Sequence, residues 1–449
     1  MTSKKRYVLV GTGARAGCFL RPMVSTYGAH GDLVGLCDVS QTRMDYHNVC
    51  LEKEWGYHAV PTYPAARFVE MLREQRPDVV VVTSVDATHH EYIVAALHNG
   101  CDVVTEKPMT IDAPKCQQIM DAVKQTGRRV RVAFNYRWGP FRTKVRELLA
   151  SGAIGSVKTV NLEYLLDTRH GADYFRRWHA SVDQSGGLLV HKATHHFDLV
   201  NWWIDGIPDQ VFAHGGLFFY GRRNALARGD EALTRYDRYT GSDSAGDPFR
   251  LALSDGGSLQ ALYLDAEADS GYLRDRNVFR DDITIQDAMS LSVRYRTGQL
   301  LTYSLVCFSP REGMRVTFNG DRGRLEYYEF GGSHIIRGQS DEELEREQRA
   351  PDPTSRESIR VYPHFKPSYE VPVTRPRGGH GGADPLLAEQ IFSPNPPADP
   401  WGRGAGHEQG AVSILVGAAG NRSMAENRPV TLMELVPVRP DASHLHELT

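Results

Sequence analysis

The chain has 449 residues, 41% of them apolar and 24% charged, which is enough apolar material for large cores and excludes a disordered chain or a disulfide-stapled miniprotein. Its 52 Lys and Arg stand against 55 Asp and Glu, and a net charge of −3 removes any electrostatic reason to prefer nucleic acid or an anionic membrane. The length predicts two or three domains. The six cysteines are scattered, none at the spacing of a zinc ribbon or redox dithiol, and read as buried free thiols. The start, MTSKKRYVLVGTG, runs from a basic tail into an apolar strand without a signal-peptide core, and no segment approaches the ~20 apolar residues of a membrane span. A cytoplasmic protein is the expectation.

In chain order, Tyr7 to Val10 reads as a strand, Arg15 to Tyr27 as a helix, Leu33 to Cys37 as a strand, and Thr42 to Trp55 and Pro64 to Gln75 as helices. Val79 to Val82 is an all-apolar strand, as a parallel sheet covered on both faces demands. Helix Glu91 to Asn99, a strand at Val103 and Val104, helix Ala113 to Thr126 and strand Val130 to Phe134 complete the alternation. The pattern predicts a doubly wound Rossmann domain over residues 1–150.

At the first strand-to-helix turn stands Gly11-Thr12-Gly13-Ala14-Arg15-Ala16. Gly11 permits the tight turn, Gly13 lets the backbone approach a pyrophosphate, and the free N–H groups of Ala14 and Arg15 face it. Asp38 ends the second strand about 20 residues further on, where an acid accepts the ribose hydroxyls of NAD and repels the 2′-phosphate of NADP. The competing reading of Asp38 is a helix-capping acid. Arg43, one turn into the next helix, leaves NADP open.

Further on come Thr83-Ser84-Val85-Asp86-Ala87-Thr88-His89, then Glu106-Lys107-Pro108, Phe134-Asn135-Tyr136-Arg137, and Gly186-Gly187 leading to His195-His196-Phe197-Asp198. In this order the motifs resemble the glucose-fructose oxidoreductase / inositol dehydrogenase / MocA family over roughly the first half of the chain. The resemblance implies that Thr83, His89, Glu106 and Lys107 border the coenzyme, that Lys107 sits beside both nicotinamide and substrate hydroxyl, and that Lys107-Pro108 is cis. An ammonium there stabilises a developing alkoxide. It further implies that His195 exchanges a proton with the oxidised hydroxyl and that residues 151–449 form an α/β domain on a large, mostly antiparallel open sheet serving homo-oligomer contacts, in a dimer or tetramer.

Past Ser151, alternating strands such as Val157 to Tyr164, Ser290 to Tyr295, Leu300 to Leu305 and Met314 to Phe318 suit that sheet. The densest chemical group is His191-Lys192-Ala193-Thr194-His195-His196-Phe197-Asp198. Helical spacing would put His191 and His195 on one face. Where many members of the family carry Asp, four residues before the catalytic His, this chain has His191, a candidate proton relay, followed by Lys192. His191 and His195 with His196 or Asp198 are also a conceivable zinc set, but a metal-free site is expected and His196 reads as a core residue. Arg137, Arg176, Trp178 and Lys192 are candidate substrate contacts.

Residues of about 221–282 read as an irregular insertion, a lid or an oligomer arm, and about 338–377 as a second irregular, polar stretch, a Glu-rich helix followed by Pro-spaced extended chain. Gly378-Gly379-His380-Gly381-Gly382-Ala383-Asp384 resembles an element of NAD-dependent glycoside hydrolases and makes His380 a further substrate candidate. Helix Glu408 to Ala425 and a strand from Pro429 close the chain. Three readings follow: an NAD(P)-dependent dehydrogenase of a sugar, sugar derivative or cyclitol; a glycosidase using NAD transiently through C3 oxidation and elimination; and a non-catalytic nucleotide-binding regulator.

Overall fold

A computed structural model describes residues 4–333, 356–374 and 379–449. Strands β1 (Lys5–Val10), β2 (Gly31–Asp38), β3 (Thr62–Pro64), β4 (Val79–Val82), β5 (Asp102–Thr105) and β6 (Val130–Val132) form one parallel sheet in the order β6-β5-β4-β1-β2-β3. Chain order reverses between β1 and β4, which opens a crevice at their carboxyl ends. All four valines of β4 are buried between helical layers, each contributing about 1.5–3 kcal/mol. Helix Gln41–Lys53 starts at Ser40, whose hydroxyl accepts from Arg43 N, and helix Ala113–Thr126 starts at Asp112 and stops at Gly127 in the left-handed region. These caps fix where the loops facing the crevice begin.

The second sheet is built from β7 (Val157–Asp167), β8 (Pro208–Gly216), β9 (Ala288–Tyr295), β10 (Leu300–Ser309), β11 (Arg311–Gly320), β12 (Gly323–Ser333), β13 (Arg356–Pro363) and β14 (Tyr369–Val371). Strand β15 (Ala405–Gly406) instead adds antiparallel to β6 of the first sheet, and β16 (Val430–Thr431) closes the second at β8. Its order is β14-β13-β12-β11-β7-β10-β9-β8-β16, antiparallel at every junction except β7 with β10. In β9, Met289, Leu291, Val293 and Tyr295 point inward while Ser290, Ser292 and Arg294 point outward, so one face is covered. Helix Thr194–Ile204, nearly all buried, and helix His407–Glu426, buried through most of its length up to Gly420, provide that cover.

Three expectations change. The segment of about 338–377 is not irregular where it is described: Ile359 and Val361 alternate inward, and β13 and β14 extend the sheet. Its remainder falls outside the described residues. The 221–282 segment contributes no sheet strand, yet it is packed through helical turns at Arg222–Ala227, Gln260–Leu264 and Glu267–Ser270. Phe249 and Phe279 supply its own aromatic core against Tyr220, and buried Asp287 accepts N–H bonds from Phe218, Phe219 and Tyr220 to pin its start. The six cysteines are unbridged, but Cys18 is exposed rather than buried because its helix, Gly17–Arg21, faces solvent there.

The chain returns to the first sheet at its end. Ala383, Leu387 and Phe392 from helix Gly379–Phe392 share a core with Tyr7, Leu9 and Leu36. The side chain of His380, on that helix, lies outside the described residues. No helix among the described residues is long and apolar enough to cross a membrane.

Candidate active site

The crevice begins at the glycine turn. Gly11 has φ +91, and a Cβ there would stand 2.3 Å from Ser84 N, so only glycine fits. Thr83 Oγ1 donates to Gly11 O at 2.6 Å, tying the ends of β4 and β1 together. Gly11→Ala is expected to weaken NADH binding roughly 10- to 100-fold in a fluorescence titration. Asp38 is buried, with Oδ2 accepting from Thr12 N at 2.5 Å and Oδ1 from Ser40 N at 2.9 Å. Each oxygen keeps a lone pair for a ribose hydroxyl.

On the far side of the loop, Arg15 Nε donates to Glu106 Oε1, and Glu106 Oε2 accepts from Lys107 N at 2.9 Å. His89 is buried with its ring nitrogens against Pro108 O (2.9 Å) and Ser84 O (3.1 Å). It therefore positions the loops after β4 and β5 rather than facing open space. The Lys107-Pro108 bond is cis. A glycine turn that tolerates no Cβ and a held acid at the end of β2 fit a dinucleotide, but the Ala14 N–H expected to be free for the pyrophosphate donates to Tyr263 Oη at 3.0 Å.

Lys107 lies at the carboxyl end of β5, where its Nζ donates to His191 O at 3.3 Å across the seam between the two sheets. Burial lowers its pKa, against the opposing pull of Asp86 and Glu106. Asp86, from the turn after β4, meets His191 Nδ1 at 2.5 Å, both side chains at least nine-tenths buried. Burial pushes the Asp86 carboxyl well up and the His191 imidazole well down, with Lys107 adding to the latter. Both shifts favour one shared proton over a separated ion pair.

His195 stacks on Tyr136, ring centroids 3.9 Å apart and planes within 8°, with Phe134 edge-on. Lys192 is buried, its Nζ donating to Tyr136 Oη at 3.3 Å and lying 4.9 Å over the Tyr164 ring. Burial alone would lower the Lys192 pKa, but Tyr136, Tyr164 and Tyr174 surround it and hold it well above the ordinary value. Trp178 stacks on His179, and both present to His191 at centroid distances of 5.9 and 4.1 Å.

Lys107, His191, Lys192, His195 and Trp178 thus gather at the seam, while Gly11, Gly13, Ala14, Arg15, Asp38, Thr83 and Glu106 lie together around the glycine turn and the carboxyl ends of β2, β4 and β5. Two candidates stand elsewhere. Arg137 is fully buried in a fork with Asp198, Nε to Oδ2 at 2.8 Å and Nη2 to Oδ1 at 2.6 Å. Arg176 is spent on Phe249 O through Nε (3.0 Å) and Nη2 (2.8 Å). These pairings hold both guanidinium groups inside the second domain, Arg137 on Asp198 and Arg176 on Phe249 O, rather than at the seam. The helical spacing assumed for His191 and His195 is broken at Lys192 and Ala193, so the two face different neighbours and Asp198 does not join them. His196 is a core residue, Nδ1 against Tyr303 Oη at 2.8 Å.

Sequence reasoning passed over Asp86, Tyr136 and His179 as site residues. Asp86 reads locally as a helix-starting acid, and its partner is 105 residues away. Only the offset from Lys107, one strand along the same sheet edge, could have flagged it.

A parallel sheet with a glycine turn at its first strand, facing a lysine and histidines across a domain seam, defines an NAD-dependent oxidoreductase with a second α/β domain. Known families divide the same way: a model of the oxidoreductase family's NAD-binding Rossmann fold matches residues 5–134, and one of its C-terminal alpha/beta domain matches residues 146–432. The chain belongs to the GFO/IDH/MocA oxidoreductase family. It is 36% identical to the oxidoreductase YteT of Bacillus subtilis (strain 168), over 96% of this chain and 98% of that protein. It is 28% identical to an inositol 2-dehydrogenase of Rubrobacter xylanophilus over 32% of this chain and 40% of that one. The WlbA dehydrogenase of Bordetella pertussis, solved with NADH and UDP-GlcNAcA, shares the fold at a TM-score of 0.61 and 15% identity, covering 96% and 98% of the two chains.

Proposed function

We propose that the protein oxidises a secondary hydroxyl of a sugar, sugar derivative or cyclitol, with NAD accepting the hydride. The observation that carries this reading is Lys107 at the carboxyl end of β5, partly desolvated and held against His191 O in the seam. Its ammonium stabilises the oxygen as the hydroxyl proton leaves. His195, fixed by its stack on Tyr136, takes that proton. His191, with Nδ1 engaged by Asp86, offers Nε2 to a neighbouring hydroxyl and completes the acid/base set. Trp178 and Lys192 supply an apolar plate and a donor for a polyhydroxylated ring. The inositol dehydrogenase relative supports the same substrate class. A homo-oligomer, dimer or tetramer, in the cytoplasm belongs to this reading, with copies meeting through the open face of the second sheet.

The test is NADH formation on a panel of sugars, uronates and cyclitols. No reduction with any of them, together with release of nitrophenol from nitrophenyl glycosides at constant NAD, would replace this reading by the redox-neutral glycosidase. Asp86→Asn is expected to lower kcat/KM by roughly 100-fold with NADH affinity unchanged. Removing the carboxylate also makes His191 harder to protonate. The acid limb of the kcat/KM profile, where protonated bases stop the oxidation, therefore moves to lower pH in the variant.

A further inference from the structure

The segment from Leu253 to Tyr272, carried by the loop between β8 and β9, lies on the nucleotide domain. Leu253, Leu262 and Tyr263 form a small core with Tyr46 of helix Gln41–Lys53. Tyr263 Oη accepts from Ala14 N at 3.0 Å, which sets the segment against the glycine turn. Arg43 donates through Nε to Leu262 O at 2.9 Å, and its guanidinium packs 5.3 Å over Tyr263 and 5.9 Å over Tyr272. Asp269 reaches furthest. Its Oδ2 accepts from Ser40 Oγ at 2.7 Å and from Thr42 N at 3.0 Å.

The residues just after β2 border the ribose 2′ position in a doubly wound domain. A hydroxyl and a free amide at the start of a 13-residue helix are the donors that a 2′-phosphate takes. Here a carboxylate of the chain itself already holds both. These two bonds also depress the Asp269 pKa, so the group is an anion near neutral pH. Asp38 stands on the other side, and Arg43 donates through Nε to Leu262 O with Nη1 3.7 Å from Asp38 Oδ1, while its buried Nη2 makes no hydrogen bond among the described residues.

We propose that Asp269 is a specificity determinant for the coenzyme: it fills the donors that a 2′-phosphate requires, so the insertion selects NAD over NADP independently of Asp38. This rests on the NAD-binding domain and not on the identity of the substrate. Asp269 is exposed, and its replacement removes no core contact.

The experiment is titration of the full chain with NADH and with NADPH, without substrate, followed by tryptophan fluorescence and calorimetry. The wild type is expected to bind NADH at least about 100-fold more tightly than NADPH. Asp269→Ser, which frees both donors, gains about tenfold or more in NADPH affinity and stays within about threefold for NADH. Asp269→Asn keeps an acceptor on Ser40 and Thr42 without the charge, and gains less than the Ser variant. NADPH affinity unchanged in Asp269→Ser, equal NADH and NADPH affinity in the wild type, or an equal loss of NADH binding in both variants would each overturn the proposal; the last would reduce Asp269 to a tether. Because no turnover is read, failure of the substrate assignment leaves these outcomes intact.

Discussion

Replacing Lys107 by Met is expected to lower kcat/KM by about 1,000- to 10,000-fold while NADH binds within about threefold of its original affinity. The size follows from position. In the proposed reaction the ammonium stands beside the oxygen on which negative charge develops, in a seam where Asp86 and His191 are buried, so its field is screened less than at an exposed site. Burial lowers the Lys107 pKa, which brings loss of its proton closer to neutrality. In the wild type, kcat/KM therefore falls at high pH as the ammonium is lost, and this basic limb disappears from the residual activity of Lys107→Met. Steady-state kinetics across pH, with NADH titration as the control, check both parts. A variant that keeps more than about a tenth of the wild-type kcat/KM would place the charge stabilisation elsewhere.

Strand and turn chemistry made the nucleotide domain readable, because its signals are local. An apolar run such as Val79–Val82, a glycine at a forced positive φ and an acid at a strand end each speak for themselves. What stayed hidden depends on partners distant in sequence. Arg137 looked like a cleft residue because it follows the last strand of the nucleotide domain, yet Asp198, 61 residues on, makes burial of its guanidinium tolerable. Residues 221–282 looked irregular because their aromatic core and their grip on Ser40 and Ala14 are tertiary, without a period to betray them. The histidine cluster was legible as chemistry but not as geometry. Two residues out of helix, Lys192 and Ala193, were enough to turn His191 toward Asp86 and leave His195 on Tyr136.

The Arg137–Asp198 fork gives the largest expected effect on stability. Arg137 Nη1 also donates to Gln409 Oε1 at 2.7 Å, so one guanidinium joins the turn after β6, helix Thr194–Ile204 and helix His407–Glu426. Arg137→Met leaves Asp198 buried without its partner and is expected to cost about 3–5 kcal/mol in denaturant unfolding. The loss has a sign in pH. Burial already raises the Asp198 carboxyl even with Arg137 opposing, and removal of the arginine raises it further. A carboxyl whose folded pKa exceeds its unfolded value contributes stability below the unfolded value and loses it as pH rises through the folded one. The gap between variant and wild type therefore narrows toward pH 4 and widens toward neutrality. The double variant Arg137→Met, Asp198→Leu removes the stranded charge and recovers most of the loss, because the cost belongs to the unpaired acid rather than to the absent bond. Asp198 lies one turn beyond His195, so catalysis reads the same clamp. In Arg137→Met, kcat falls with the helix register, and in the double variant stability returns further than kcat, since an apolar pair fills the space without fixing the orientation that the fork imposes.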